Sequence, residues 1–505
     1  MYDDAGQALR SFPVEGSQQG FPVRWSKHEF AYVADFGPEV GRAIIVVDVE
    51  RGLARTVWRT ADFIGGLSVE VPTGRVAWHA WPSGTMPWDT AQIWTADRAY
   101  MYLRGEVLAG TKYHAAMNPN WLHGDLYFQF EDDEHFRPAR LHDGELQLTS
   151  SIGGESLSDW FFGWPWTVAL GGGTAHVSIQ SSTTSIHVWN KDGAVQRIES
   201  APVAIQEVAG GEKSLWVAGS DQTVGSSLWR YRVNEKSWQC VSPPDPSALS
   251  ADEVSLSELR RTDSGVPFVY YEPTSTSFVA PLDDRPGLII DIHGGPTAYA
   301  KRGLRTTTQF FTKSGFAFAS VDYRGSVGYG ASYRRSLNGH YGEYDVDDIR
   351  AVARFLIEKG EVNPNRVFVR GGSSGGLTAL LAGEDEMFAG VIAHYPVTDA
   401  HRLNAATHEV EGCYLEELIG SLPEHASRFE AVSPQFRDTY PRRVLITHGV
   451  EDVVIPIQLV RDYVAKLEES GVDVTYLEFT AEGHGYRGSE VQAQVLAAEH
   501  TFLRN

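Results

Sequence analysis

A chain of 505 residues exceeds what one hydrophobic core usually organises, so two domains are expected, and 42% hydrophobic content with 14 Trp is ample for both. Against 43 Lys and Arg stand 65 Asp and Glu, a formal charge of -22 whose field repels nucleic acid and anionic membranes and so excludes polyanionic partners. No window approaches the roughly 20 apolar residues of a spanning helix, and the opening Met1-Tyr2-Asp3-Asp4-Ala5-Gly6 lacks the basic and apolar regions of a signal peptide, so the cytoplasm is the expected compartment.

Residues 1–19 precede the first regular pattern and are expected to pack back on the C-terminal domain. From about residue 20, short β-rich runs recur: Ala31-Tyr32-Val33, Val76-Ala77-Trp78, Leu126-Tyr127-Phe128, Ala175-His176-Val177 and Leu215-Trp216-Val217. They are roughly 40 to 50 residues apart, the period of a four-stranded propeller blade. Five such units fit, with a sixth, degenerate one as the alternative, and the aromatic residues in them read as inter-sheet packing. The expectation is an all-β propeller over 20–245.

Pro243-Pro244-Asp245-Pro246-Ser247 reads as the linker, because proline disfavours helix and central strand alike. Beyond it, over 246–505, strands alternate with helical stretches such as Val346 to Leu356, the signature of a mostly parallel sheet with helices on both faces. Gly287-Leu288-Ile289-Ile290-Asp291-Ile292 is a buried-strand pattern running into His293-Gly294-Gly295-Pro296, where glycines let backbone amides approach a developing negative charge. The Gly295 amide is assigned as one oxyanion donor, with Gly294 as the alternative; His293 reads as a strand-end residue holding the loop.

The next signal is the strongest. Val367 to Arg370 is an apolar strand running through Gly371-Gly372-Ser373-Ser374-Gly375-Gly376 into a helix, the pattern of a nucleophile elbow. Sterics permit two registers, Ser373 framed by Gly371 and Gly375 or Ser374 framed by Gly372 and Gly376. A serine is a useful nucleophile only with a base to take its proton, so an acid and then a histidine are required downstream at strand ends. Val444-Leu445-Ile446-Thr447 leads into His448-Gly449-Val450-Glu451-Asp452, and Val474 to Phe479 leads into Glu482-Gly483-His484-Gly485. Asp452 and His484 therefore complete a Ser-Asp-His order at the carboxyl edge of the sheet, where ligands collect. Tyr395, Pro396 and Val397, past the strand after the elbow helix, are candidate pocket walls, with core packing as the alternative.

These residues, together with Asp322-Tyr323-Arg324-Gly325-Ser326-Val327-Gly328-Tyr329-Gly330 and Pro456, resemble the prolyl oligopeptidase family, and within it the acylaminoacyl-peptidase and dipeptidyl-aminopeptidase branch. The resemblance implies an α/β-hydrolase domain beside a β-propeller that restricts access. It also implies Ser373 as nucleophile, with Ser374 supplying the second oxyanion amide. Similar proteins often carry arginine where Cys413 stands. Glu131 and Asp132, in the acidic run 131–134, are either a solvated loop or an anchor for a substrate ammonium, as paired carboxylates are in aminopeptidase relatives.

The expected function is a serine peptidase acting on short peptides through an acyl-enzyme, and a homo-oligomer is compatible with the sequence. The same triad would serve an esterase, amidase or acyl transferase of a peptide-like metabolite. A reading of another class is a propeller binding module with an inactive hydrolase domain. Cys240 and Cys413 read as free thiols, and the absence of C-x-x-C, H-E-x-x-H and P-loop patterns gives no cofactor and no metal.

Overall fold

The computed structural model describes residues 18–99, 101–149, 165–242, 249–277, 280–281, 284–407 and 409–504. The 243–247 linker and nearly all of the 1–19 extension lie outside them. The N-terminal runs form five antiparallel four-stranded sheets, over 18–60, 63–109, 116–148, 167–197 and 204–240, each with its strands paired in chain order. These are the blades of a propeller, and among the described residues there is no sixth.

Each of the five recurrent runs is the second strand of its sheet: Glu29–Asp35, Arg75–Trp81, Asp125–Glu131, Gly173–Gln180 and Ser214–Ser220. The reason is burial. A second strand is flanked on both edges and, in a blade sandwiched between neighbours, covered on both faces, so it reads as nearly continuous apolar sequence rather than as alternation. Arg75–Trp81 is buried at every position after its first. Side chains of adjacent blades share cores, as Val177 and Ile186 do with Leu215 and Val217. Trp58 of the first sheet packs at 5.2 Å from the fully buried Trp78 and 5.7 Å from Trp94, both of the second, so these rings serve inter-sheet packing.

The C-terminal half builds one eight-stranded sheet. Its spatial order is Glu258–Arg261, Pro267–Tyr271, Phe316–Val321, Gly287–Ile292, Val367–Gly372, Gly390–His394, Arg443–Gly449 and Asp473–Phe479, antiparallel in the first two pairings and parallel thereafter. Helices cover both faces. Tyr344–Glu358 buries Val346, Ile349, Val352 and Leu356, and the helix Ser374–Ala382 is buried along its whole length. Because the strands after Pro267–Tyr271 run parallel, the loops after Gly287–Ile292, Val367–Gly372, Gly390–His394, Arg443–Gly449 and Asp473–Phe479 all emerge at one edge.

Charges are buried under that edge. Arg370, on the elbow strand, pairs with Asp291 at 2.7 Å and Glu499 at 3.0 Å, and Asp291 also pairs with Arg305 at 3.0 Å. Burial alone would raise both carboxyls. The arginines facing Asp291, and Arg370 with His394 facing Glu499, outweigh it and hold each at about 2. A carboxylate depressed in the folded state contributes stability that is present above its unfolded pKa, about 4, and is lost as the pH falls through its folded value. Urea midpoints taken from about pH 5 to about pH 2 should therefore fall more steeply in the wild type than in Glu499→Gln. Equal slopes would remove Glu499 from the acid sensitivity.

All five blades touch the hydrolase domain. Arg42 of the first pairs with Glu409 at 2.6 Å, and Ser83 of the second bonds the same carboxylate at 3.0 Å. Glu131 of the third pairs with Arg334 and Arg335, each at 2.6 Å. Ser182 of the fourth donates to Asp322, and the carbonyl of Asp221 in the fifth accepts from the Leu304 amide at 2.7 Å.

Candidate active site

At the elbow the backbone itself separates the two serines. Ser373 has φ 57° and ψ -125°, a left-handed conformation that an L side chain adopts only under constraint, whereas Ser374 is the first residue of the following helix. The turn is tight enough that a Cβ on Gly371 would lie 2.1 Å from the Gly375 carbonyl oxygen, and one on Gly375 would lie 2.4 Å from that of Ile292. Both obstacles are backbone, so these two positions admit glycine alone, and they are the pair that frames Ser373. Ser374 is buried, with its Oγ 2.7 Å from the Tyr341 hydroxyl.

Asp452 and His484 are brought together from loops after two neighbouring strands. His484 Nδ1 lies 2.8 Å from Asp452 Oδ2, while Asp452 Oδ1 accepts the amides of Val454 at 2.8 Å and Ile455 at 2.9 Å. Burial would raise the Asp452 carboxyl, but the His484 hydrogen bond and charge, with the two amides, hold it below the ordinary carboxylate value. The buried His448 steadies the same loop, its Nε2 being 3.0 Å from the Ile455 carbonyl.

Tyr395 lies between the elbow and the imidazole. Its ring centroid is 4.7 Å from that of His484, and its edge would be 3.0 Å from a Cβ on Gly372, the residue before Ser373. Val397 sits deeper, buried in the main core, with its amide 3.4 Å from the Ser373 carbonyl oxygen.

The loop after Gly287–Ile292 closes on the elbow from the other side. A Cβ on Gly294 would lie 3.1 Å from the Gly372 carbonyl oxygen and 3.4 Å from the Ser373 Cβ, so the loop sits close against the elbow, and Gly295 has φ 119°, a conformation that favours glycine. Among the described residues, neither the Gly295 amide nor the Ser374 amide has a protein acceptor. The loop is braced where no local motif signals it: the Tyr414 hydroxyl accepts the Thr297 amide at 3.1 Å and contacts the Thr297 Oγ1 at 2.5 Å. His293 is a brace as well. Its ring stacks on Tyr323 at 4.4 Å, its nitrogens lie 2.8 Å from the Gly294 carbonyl and from Ser326 Oγ, and burial pushes it down to about 4, which keeps it neutral.

Glu131 and Asp132 are both engaged within the protein. Glu131 is fully buried between Arg334 and Arg335, and Asp132 accepts the amides of Glu134 and His135 while pairing with Arg137. The first is an inter-domain ion pair, and the second caps its own loop with a side chain that stays partly exposed. Cys240 and Cys413 are both free and exposed, and Cys413 faces the propeller, its Sγ 3.5 Å from where a Gly84 Cβ would stand.

Residues 302–505 match the prolyl oligopeptidase family. That C-terminal stretch is similar to the family. Over 328 residues, 62% of this chain and 42% of the relative, the sequence is 28% identical to the acylamino-acid-releasing enzyme of Arabidopsis thaliana. Over 226 residues it is 28% identical to dipeptidyl aminopeptidase BIII of Pseudoxanthomonas mexicana, covering 43% of this chain and 32% of that one. The matches thus span less than half the length of these curated relatives. The fold is also that of a puromycin hydrolase crystal structure, with TM-score 0.91 and 25% identity over 99% of this chain and 80% of that one. A puromycin-hydrolyzing peptidase of Mycobacterium tuberculosis has the same fold, with TM-score 0.89 and 24% identity over 97% and 78% of the two chains. The family match is confined to residues 302–505, while the fold match extends over nearly the whole chain, propeller included.

Proposed function

We propose that this chain is a cytoplasmic serine peptidase that cleaves short peptides through an acyl-enzyme, of the oligopeptidase, aminopeptidase or acylaminoacyl-peptidase kind. The observation that carries the reading is the Asp452–His484 hydrogen bond, set beside a serine in a strained turn. Ser373 Oγ attacks the scissile carbonyl while His484 takes its proton on Nε2, since Nδ1 is held by Asp452. The amides of Gly295 and Ser374 receive the oxyanion. His484 then returns the proton to the departing amine, and water repeats the sequence on the acyl-enzyme.

A second reading, hydrolysis of a small amide or ester of a peptide-like metabolite, draws support from the fold shared with puromycin hydrolase. The two share every step up to the acyl-enzyme, so only substrates separate them. Chromogenic peptide amides, free and N-acylated, tested beside puromycin and simple aryl esters, distinguish aminopeptidase, acyl-peptidase and small-amide activities. Turnover of peptide amides supports the first reading. Turnover confined to esters and puromycin supports the second, and no turnover with no acylation leaves a binding module.

The propeller is proposed to restrict entry, a role supported by the contacts from all five blades to the hydrolase domain. If it does, kcat/KM falls steeply along a nested series of peptides sharing one scissile bond, from a dipeptide amide to about thirty residues. A flat profile, or efficient digestion of an intact folded protein, would sink size exclusion.

A further inference from the structure

Beneath the elbow runs a chain of polar side chains to which proton transfer assigns no role. Tyr486, two residues past His484, has its hydroxyl 2.5 Å from Thr447 Oγ1. That oxygen is 2.7 Å from His394 Nδ1, and His394 Nε2 is 2.8 Å from Glu499 Oε1. Glu499 in turn receives Arg370 in a fork of 3.0 and 3.1 Å. Thr447, His394 and Glu499 are all buried.

The ends of the chain rest on the supports of the two reacting groups. The His394 carbonyl accepts the Ser373 amide at 3.0 Å, and Arg370 stands on the elbow strand itself. At the other end the Tyr486 ring packs on Tyr395 at 5.5 Å, and Tyr395 packs on His484 at 4.7 Å. Ser373 and His484 follow strands that are not neighbours, since Gly390–His394 and Arg443–Gly449 lie between them. His394 and Thr447 are the last residues paired between those two strands, so the chain crosses that gap.

Stability is a poor reason for such an arrangement, because apolar side chains of similar volume would fill the space at no greater cost. Geometry is the better reason: a buried polar network whose members meet at 2.5 to 2.8 Å restricts the arrangements open to it, and a displacement of about 1 Å between nucleophile and base can cost on the order of a hundredfold in rate. We infer, building on the assignment of Ser373 and His484 as nucleophile and base, that Tyr486, Thr447, His394 and Glu499 are positioning residues that lock the His484 loop to the Ser373 turn.

The test uses the full chain with two probes, p-nitrophenyl acetate and a fluorophosphonate. Thr447→Val removes the central hydroxyl while nearly keeping the shape. It should lower kcat for the ester and the maximal rate of phosphonylation about tenfold, with KM within about twofold. Thr447→Ser should restore most of the rate. Tyr486→Phe, at the less buried end, should reproduce the loss and decides the matter if Thr447→Val does not fold. A structural role alone would lower the melting temperature and leave kcat of the folded protein unchanged. The inference is overturned by kcat within about twofold of wild type in the folded variants, or by an equal loss in Thr447→Ser. A wild type that reacts with neither probe overturns the nucleophile assignment, and this inference with it.

Discussion

Ser373→Ala abolishes labelling by a fluorophosphonate probe, and Ser374→Ala keeps it. Ser373 stands at the apex of the turn, at φ 57°, with Gly294 pressed close on one side and Tyr395, which touches His484, on the other. Ser374 begins the helix with its hydroxyl against Tyr341, so its loss removes one buried hydrogen bond and no reacting atom. That bond is worth about 1 kcal/mol, a cost in stability rather than in chemistry. Labelling that survives in the first variant and disappears in the second would reverse the assignment. An unlabelled wild type would favour a binding module.

Asp452→Asn lowers kcat/KM by on the order of a thousandfold or more while the fold persists. An amide in place of the carboxylate can present its NH2 to His484 Nδ1, which stabilises the tautomer whose Nε2 cannot receive the serine proton. It also removes the charge that balances the imidazolium. The amides of Val454 and Ile455 keep an oxygen acceptor, so the loop keeps its shape. The pH dependence follows from the direction of the Asp452 shift. A carboxyl held below its ordinary value is ionised at every pH where the protein is assayed, so it contributes no limb to the profile. Any acid limb in kcat/KM should therefore be single. A near-normal rate in Asp452→Asn would hand the role to another acid, with Glu451 the nearest in sequence. A second acid limb would mean that the carboxylate itself titrates.

Much of this site was legible because its parts are local. A strand running into glycines and serines, a strand into an aspartate loop and a strand into Gly-His-Gly each combine an apolar run with a backbone demand that adjacent residues must meet. The blade period was legible for a related reason: the second strand of each blade lies inside its sheet, flanked on both edges, and repeats as an apolar run. Glu131 was not. Its partners Arg334 and Arg335 lie about 200 residues away in another domain, and nothing in an acidic run announces an ion pair across an interface. Tyr414, Tyr486 and Glu499 were equally silent, being single polar residues in helices and loops whose meaning comes from what they meet.

The sequence by itself determined the two-domain plan, the five β units and the order of serine, acid and histidine, because periodicity, turn chemistry and strand-end placement are written in neighbouring residues. The tertiary structure alone decided which polar groups meet: the Asp452–His484 bond, the close approach of Gly294 to Ser373, the bracing of Thr297 by Tyr414 and the line from Tyr486 to Glu499. Those contacts join residues tens to hundreds of positions apart. Their partners are selected by how helices and strands pack, and packing leaves no period in the chain that a reader of the sequence could follow.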